Sequence, residues 1–136
     1  MTIKKPFKEK TYTSSLTPMD YGEFYKKSYN KYIKLSKTLE KILKSIIHDG
    51  GINDQRMDKL IENFKQILHL ITHLPRKGAL LEFDEFYKAI TKFKKKYYKK
   101  NLNSDSIYDS MKDASILWDY EVTLRIYTES MCLPFL

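Results

Sequence analysis

Trp118-Asp119-Tyr120-Glu121-Val122-Thr123-Leu124-Arg125-Ile126 alternates apolar and polar residues without a break, and the reading of this stretch decides the fold. Strict alternation is the signature of a half-buried strand. The same residues also fit a helix. Leu117, Tyr120, Leu124, Tyr127 and Met131 then make a stripe at spacings of 3 and 4, which leaves Trp118, Val122 and Ile126 on a second apolar face. A lone strand needs a partner. The one internal candidate is a weak alternation from Lys8 to Thr13. Everything between those two stretches reads as helix, so the helical reading of Trp118–Ile126 is preferred.

Working backwards, Ser106 with Asp109 three residues on resembles a capping box and predicts a fourth helix over about 105–130. Leu80, Phe83, Phe86, Ile90, Phe93 and Tyr97 recur at helical spacing and predict a third helix over about 80–100. The second runs over about 53–74, with Asn53 as cap, Ile52 and Met57 as staple, and Pro75 as its stop. The first runs over about 18–49, from Thr17-Pro18 to Gly50, which supplies a left-handed C′ residue. Its stripe is Tyr25, Ser28, Tyr32, Leu35, Leu39, Ile42 and Ile46, widened by Tyr29, Leu43 and Ile47. The expected fold is all-α: an up-and-down bundle of four helices, or three plus a C-terminal strand, in one domain over 17–136. Residues 1–16 hold Lys4, Lys5, Lys8 and Lys10 and read as a flexible basic arm.

Composition limits the function. A chain of 136 residues with 42% apolar residues can build one core. A single cysteine excludes a disulfide scaffold and fits a reducing, cytoplasmic location. The N-terminus lacks the apolar core of a secretory signal, and no apolar run approaches a membrane span. There is no Gly-rich phosphate loop, no nucleophile elbow and no cysteine with a placed histidine, so an enzyme is not expected, and no cofactor or small-molecule substrate is implied. His69 and His73 lie i, i+4 on the second helix. The glutamate of a zinc-protease helix is missing, and no metal is expected.

The net charge is +8, and its distribution matters more than its size. Residues 79–101 carry +4, whereas 102–136 carry −4. In the third helix Lys88, Lys92, Lys95, Lys96 and Lys99 fall on one ridge, with Tyr98 as a ring for stacking on a base. Such a ridge is about 16 Å long at helical rise and can track several phosphates. Of the 25 basic residues only Arg56, Arg76 and Arg125 are arginine, so contact with DNA or RNA would be with the backbone and weakly sequence-specific. Tyr21, Tyr25, Tyr29 and Tyr32 form a second aromatic cluster, suited either to stacking or to the outer core. The second apolar face of the C-terminal segment points elsewhere. Trp118, Val122, Ile126, Leu133 and Phe135 are the expected protein interface, towards a second copy or another protein. Asp105, Asp109, Asp113 and Asp119 are placed to face lysines of neighbouring helices or of a second subunit. The expected function is therefore a non-enzymatic binding protein working by macromolecular contact. Backbone binding of nucleic acid through the lysine ridge and the arm is the alternative.

Overall fold

The structure, a computed structural model, describes residues 18–71 and 80–133. Four helices make up the fold: α1 (Pro18–His48), α2 (Asp54–Ile71), α3 (Leu80–Tyr97) and α4 (Ser104–Cys132). No strand occurs among the described residues. The Trp118–Ile126 stretch is helical throughout. The N-terminal arm with its Lys8–Thr13 alternation, the cap at Thr17, the Pro75 turn, His73 and Phe135 lie outside the described residues.

Adjacent helices run antiparallel. α1 packs against α2 and α4, and α3 against α4. Phe64 of α2 closes the ring by meeting Phe83, Phe86 and Tyr87 of α3 at centroid distances of 5.9, 5.3 and 5.9 Å. This is the up-and-down bundle. Its core is a column of Tyr32, Leu39, Leu43, Leu60, Ile67, Phe86 and Leu124, all essentially inaccessible. Each such aliphatic side chain stabilises the fold by about 1.5–3 kcal/mol relative to exposure.

The turn after α1 follows its glycines. Gly50 has φ +96° and Gly51 φ +82°. The Gly51 N–H donates to the Ile46 carbonyl at 3.1 Å, the long bond of a Schellman motif. Asn53 then caps α2 as expected, its Oδ1 accepting from the Arg56 N–H at 2.8 Å, with Ile52 and Met57 buried beside it.

Two helix ends differ from expectation. α4 starts at Ser104 because Asn103 is its cap: the Asn103 Oδ1 accepts from the Ser106 N–H at 2.8 Å and from its hydroxyl at 3.0 Å. Ser106 is therefore a donor in the first turn, not the cap. α3 stops at Tyr97, three residues short of the expected end. Lys99 takes φ +55°, and its N–H leaves the helix to donate to Asp54 Oδ1 at 3.3 Å. The buried stripe of α1 is also rotated slightly. Ser36 and Leu43 are buried, while Leu35 and Ile42 sit half-buried at its edge.

Candidate functional site

The expected lysine ridge does not persist as five equivalent cations. Lys96 donates to Asp113 Oδ2 of α4 at 3.0 Å, and that hydrogen bond, with one to Tyr97, raises its pKa to about 12. Tyr97 shares the same oxygen at 2.5 Å, and burial first, then Asp113, pushes its phenol up to about 12. Lys88 lies 3.8 Å from Glu85. Lys99 is off the helix, with its ammonium 5.4 Å from the Tyr98 ring centroid; Lys94 approaches the same ring at 5.7 Å. Both ammonium groups stand over the Tyr98 ring, while its hydroxyl donates to Asp58 of α2 at 2.9 Å. Its hydroxyl thereby ties the end of α3 to α2. Lys92 and Lys95 are left exposed, without an ion pair to any described residue.

Lys92 and Lys95 border a groove of about 710 Å³ between α3 and α4. Ala89, Phe93, Leu117 and Tyr120 form its floor, and Ile116 stands on the α4 wall. The groove changes sign along its length. Lys92, Lys95 and Lys96, the last paired with Asp113, lie towards the end of α3, whereas Glu82, Glu85 and Asp119 line a second hollow towards its start, which shares Glu85, Ile116 and Tyr120 with the first. The Glu82 Oε2 is buried there with no hydrogen-bond partner among the described residues.

The expected protein interface separates into two environments. Trp118 faces α1, half-buried: its Nε1–H donates to Glu40 Oε2 at 3.2 Å, and the Lys44 ammonium stands 5.2 Å from its ring centroid. Val122 is half-buried, whereas Ile126 is 57% and Leu133 61% exposed. Tyr108, Ile116 and Tyr127, not anticipated as surface groups, are exposed on the same helix. Of the large apolar side chains exposed among the described residues, Tyr87 alone lies off α4 or its C-cap.

Behind α4, facing α1, is a polar seam that the hydropathy pattern conceals. Glu121 is only 1% exposed and accepts from the Ser36 hydroxyl. Arg125 reaches Glu121 Oε2 at 3.7 Å and Glu40 Oε2 at 3.9 Å. Burial raises the Glu121 pKa, against the lowering effects of Ser36 and Arg125. Further along, Tyr29 and Tyr32 of the tyrosine cluster are buried, and desolvation raises the pKa of both. These two belong to the core and offer no stacking platform, and Tyr25 beside them is half-buried.

No set of three potential ligands for a metal occurs among the described residues. No described helix is long and apolar enough to cross a membrane. Comparison of the chain with protein-family models, with curated proteins and with solved structures gives no match.

Proposed function

We propose that this chain is a non-enzymatic helical-bundle binding protein whose working surface is α4 and whose partner is a second copy of itself. The observation that carries the reading is the concentration of exposed apolar side chains on α4: Ile116, Ile126 and Tyr127, with Leu133 at its end. Scattered single hydrophobes are normal on a surface, and what supports the reading is that these fall on one helix while the other three helices expose only Tyr87 of that kind among the described residues. The partner follows from charge. The surface beside this helix is basic on α3 and acidic on α4, and a second copy brings both signs. Sedimentation tests the reading. The wild-type chain should run as a dimer at micromolar concentration, and Ile116→Asp should run as a folded monomer. A wild-type monomer at high concentration would sink the proposal.

Backbone binding of nucleic acid is the second reading, favoured by the exposed Lys92 and Lys95, which have no acidic partner among the described residues. Such binding should weaken steeply between two salt concentrations in a mobility-shift titration, and Lys92→Glu with Lys95→Glu should abolish it. Unchanged binding by that variant would remove the ridge from consideration.

A further inference from the structure

The α3–α4 groove combines an apolar floor, one basic end and one acidic end. Ala89, Phe93 and Tyr120 line the middle, Lys92 and Lys95 stand at one end, and Glu85 and Asp119 stand at the other. Within the chain, Lys92, Lys95 and Asp119 have no ion pair with a described residue, and the Glu82 Oε2 is buried without a donor. Glu85 has only an exposed 3.8 Å pair with Lys88, and charges so weakly matched around an apolar trough call for a partner of alternating sign. A nucleic-acid backbone would answer only the lysine end and would be repelled by the carboxylates at the other. A contact made by α4 alone would set two acidic segments against each other, each with net charge −4, so self-association through α4 must bring the basic α3 with it.

We infer that the α3–α4 face is self-complementary: it docks on the same face of a second copy about a twofold axis through the middle of the groove, basic end to acidic end. A rotation of this kind exchanges the two ends of the groove. Lys92 and Lys95 of each copy then face Glu85 and Asp119 of the other, and Ile116 fills the other copy's trough from both sides. The contact closes on itself, as an isologous interface must. The alternating signs also fix the register, because a parallel pairing would place lysine on lysine. This inference rests on the self-association proposed above and specifies which face carries it.

A charge-swap experiment on the full chain tests it. Lys92→Glu with Lys95→Glu should raise the dimer dissociation constant at least tenfold in analytical ultracentrifugation, and so should Glu85→Lys with Asp119→Lys. Mixed in equal amounts, the two variants should form a heterodimer within about threefold of wild-type affinity, since each new charge meets its opposite. All four positions are exposed, so circular dichroism should show unchanged helix content. A wild-type dimer that both double variants leave intact would overturn the groove interface while sparing self-association through another part of α4. A wild-type monomer would overturn both. Weak homodimers of both variants with no heterodimer on mixing would also overturn the basic-to-acidic register.

Discussion

The Ser36 hydroxyl of α1 donates to the Glu121 carboxylate of α4 across 85 residues of sequence, in a seam from which solvent is all but excluded. The second oxygen, Glu121 Oε1, has no hydrogen-bond partner among the described residues. A buried carboxylate with one oxygen satisfied and one not is held against its own desolvation, and Ser36 and Arg125 offset only part of that cost.

Removing the Ser36 donor should therefore be costly. Ser36→Ala leaves the Glu121 carboxylate more exposed to its own desolvation, and we expect a loss of about 1–3 kcal/mol in urea denaturation. Glu121→Gln should behave differently with pH. The folded-state pKa of Glu121 is raised, so the folded chain holds this proton more tightly than the unfolded chain does. Its contribution to stability is full below the ordinary carboxylate range and is lost as pH rises through the folded-state value. The melting temperature of Glu121→Gln relative to wild type should accordingly rise between pH 4 and pH 7. A flat difference over that range would mean that Arg125 and Ser36 fully offset the burial.

The two glycines of the α1–α2 turn should respond unequally to alanine. Both have positive φ, so both variants carry backbone strain of about 1 kcal/mol. At Gly50 an added Cβ meets nothing nearer than Arg56 Nη1 at 3.9 Å. At Gly51 it would fall 2.5 Å from Ile107 Cγ2 and 3.0 Å from the Ile107 carbonyl oxygen, and α4 would have to move. Gly51→Ala should cost at least about 2 kcal/mol more than Gly50→Ala, given typical overpacking penalties. Parallel chemical denaturation of the two variants measures the gap.

Trp118→Ala should destabilise the monomer itself. The indole packs on α1, donates to Glu40 and lies under Lys44, so its loss opens the α1–α4 seam. Because the ring is half-buried, the expected cost is about 1–3 kcal/mol, below that of a fully buried tryptophan. As the only tryptophan, it also reports on that seam: its emission should shift with unfolding and stay unchanged on dimerisation. A shift that tracks protein concentration under native conditions would place Trp118 in the interface after all.

How α4 was concealed in the sequence has a physical reason. Its buried positions are Ser110, Ala114, Leu117, Glu121, Leu124, Thr128 and Cys132, spaced 4, 3, 4, 3, 4 and 4. The period is helical, but only Leu117 and Leu124 are large and aliphatic, and the central position is a glutamate. A hydropathy reading assigns Glu121 to solvent and Tyr127 to the core, the reverse of what packing does. The apparent alternation in Trp118–Ile126 comes from one helix meeting different surroundings: Trp118 meets α1, Tyr120 stacks with Phe86 of α3 at 6.3 Å, Leu124 enters the core and Ile126 points outward. α1, α2 and α3 were legible because their buried positions are nearly all apolar. The lysine ridge was legible as a pattern but not as a set of free charges. Whether a lysine has a partner depends on Asp113 and Glu85 in space, and Lys99 left the ridge through a left-handed turn that no glycine announced.

The Lys96–Tyr97–Asp113 cluster joins the end of α3 to α4, and its alkaline titration should reveal it. Tyr97 ionises at about 12 in the folded state, against an ordinary value of 10.0. The phenol stays protonated longer in the folded chain, so its contribution to stability is full below pH 10 and is lost as pH rises through about 12. Asp113→Asn removes the carboxylate that raises the phenol's pKa and should move the Tyr97 titration towards the ordinary value. Burial, the larger cause, remains, so the return should be partial. Difference absorbance of the tyrosinate band, wild type against Asp113→Asn with Tyr97→Phe as the blank, should resolve one tyrosine moving to lower pH. Titration curves that superimpose would show that Asp113 does not hold the phenol.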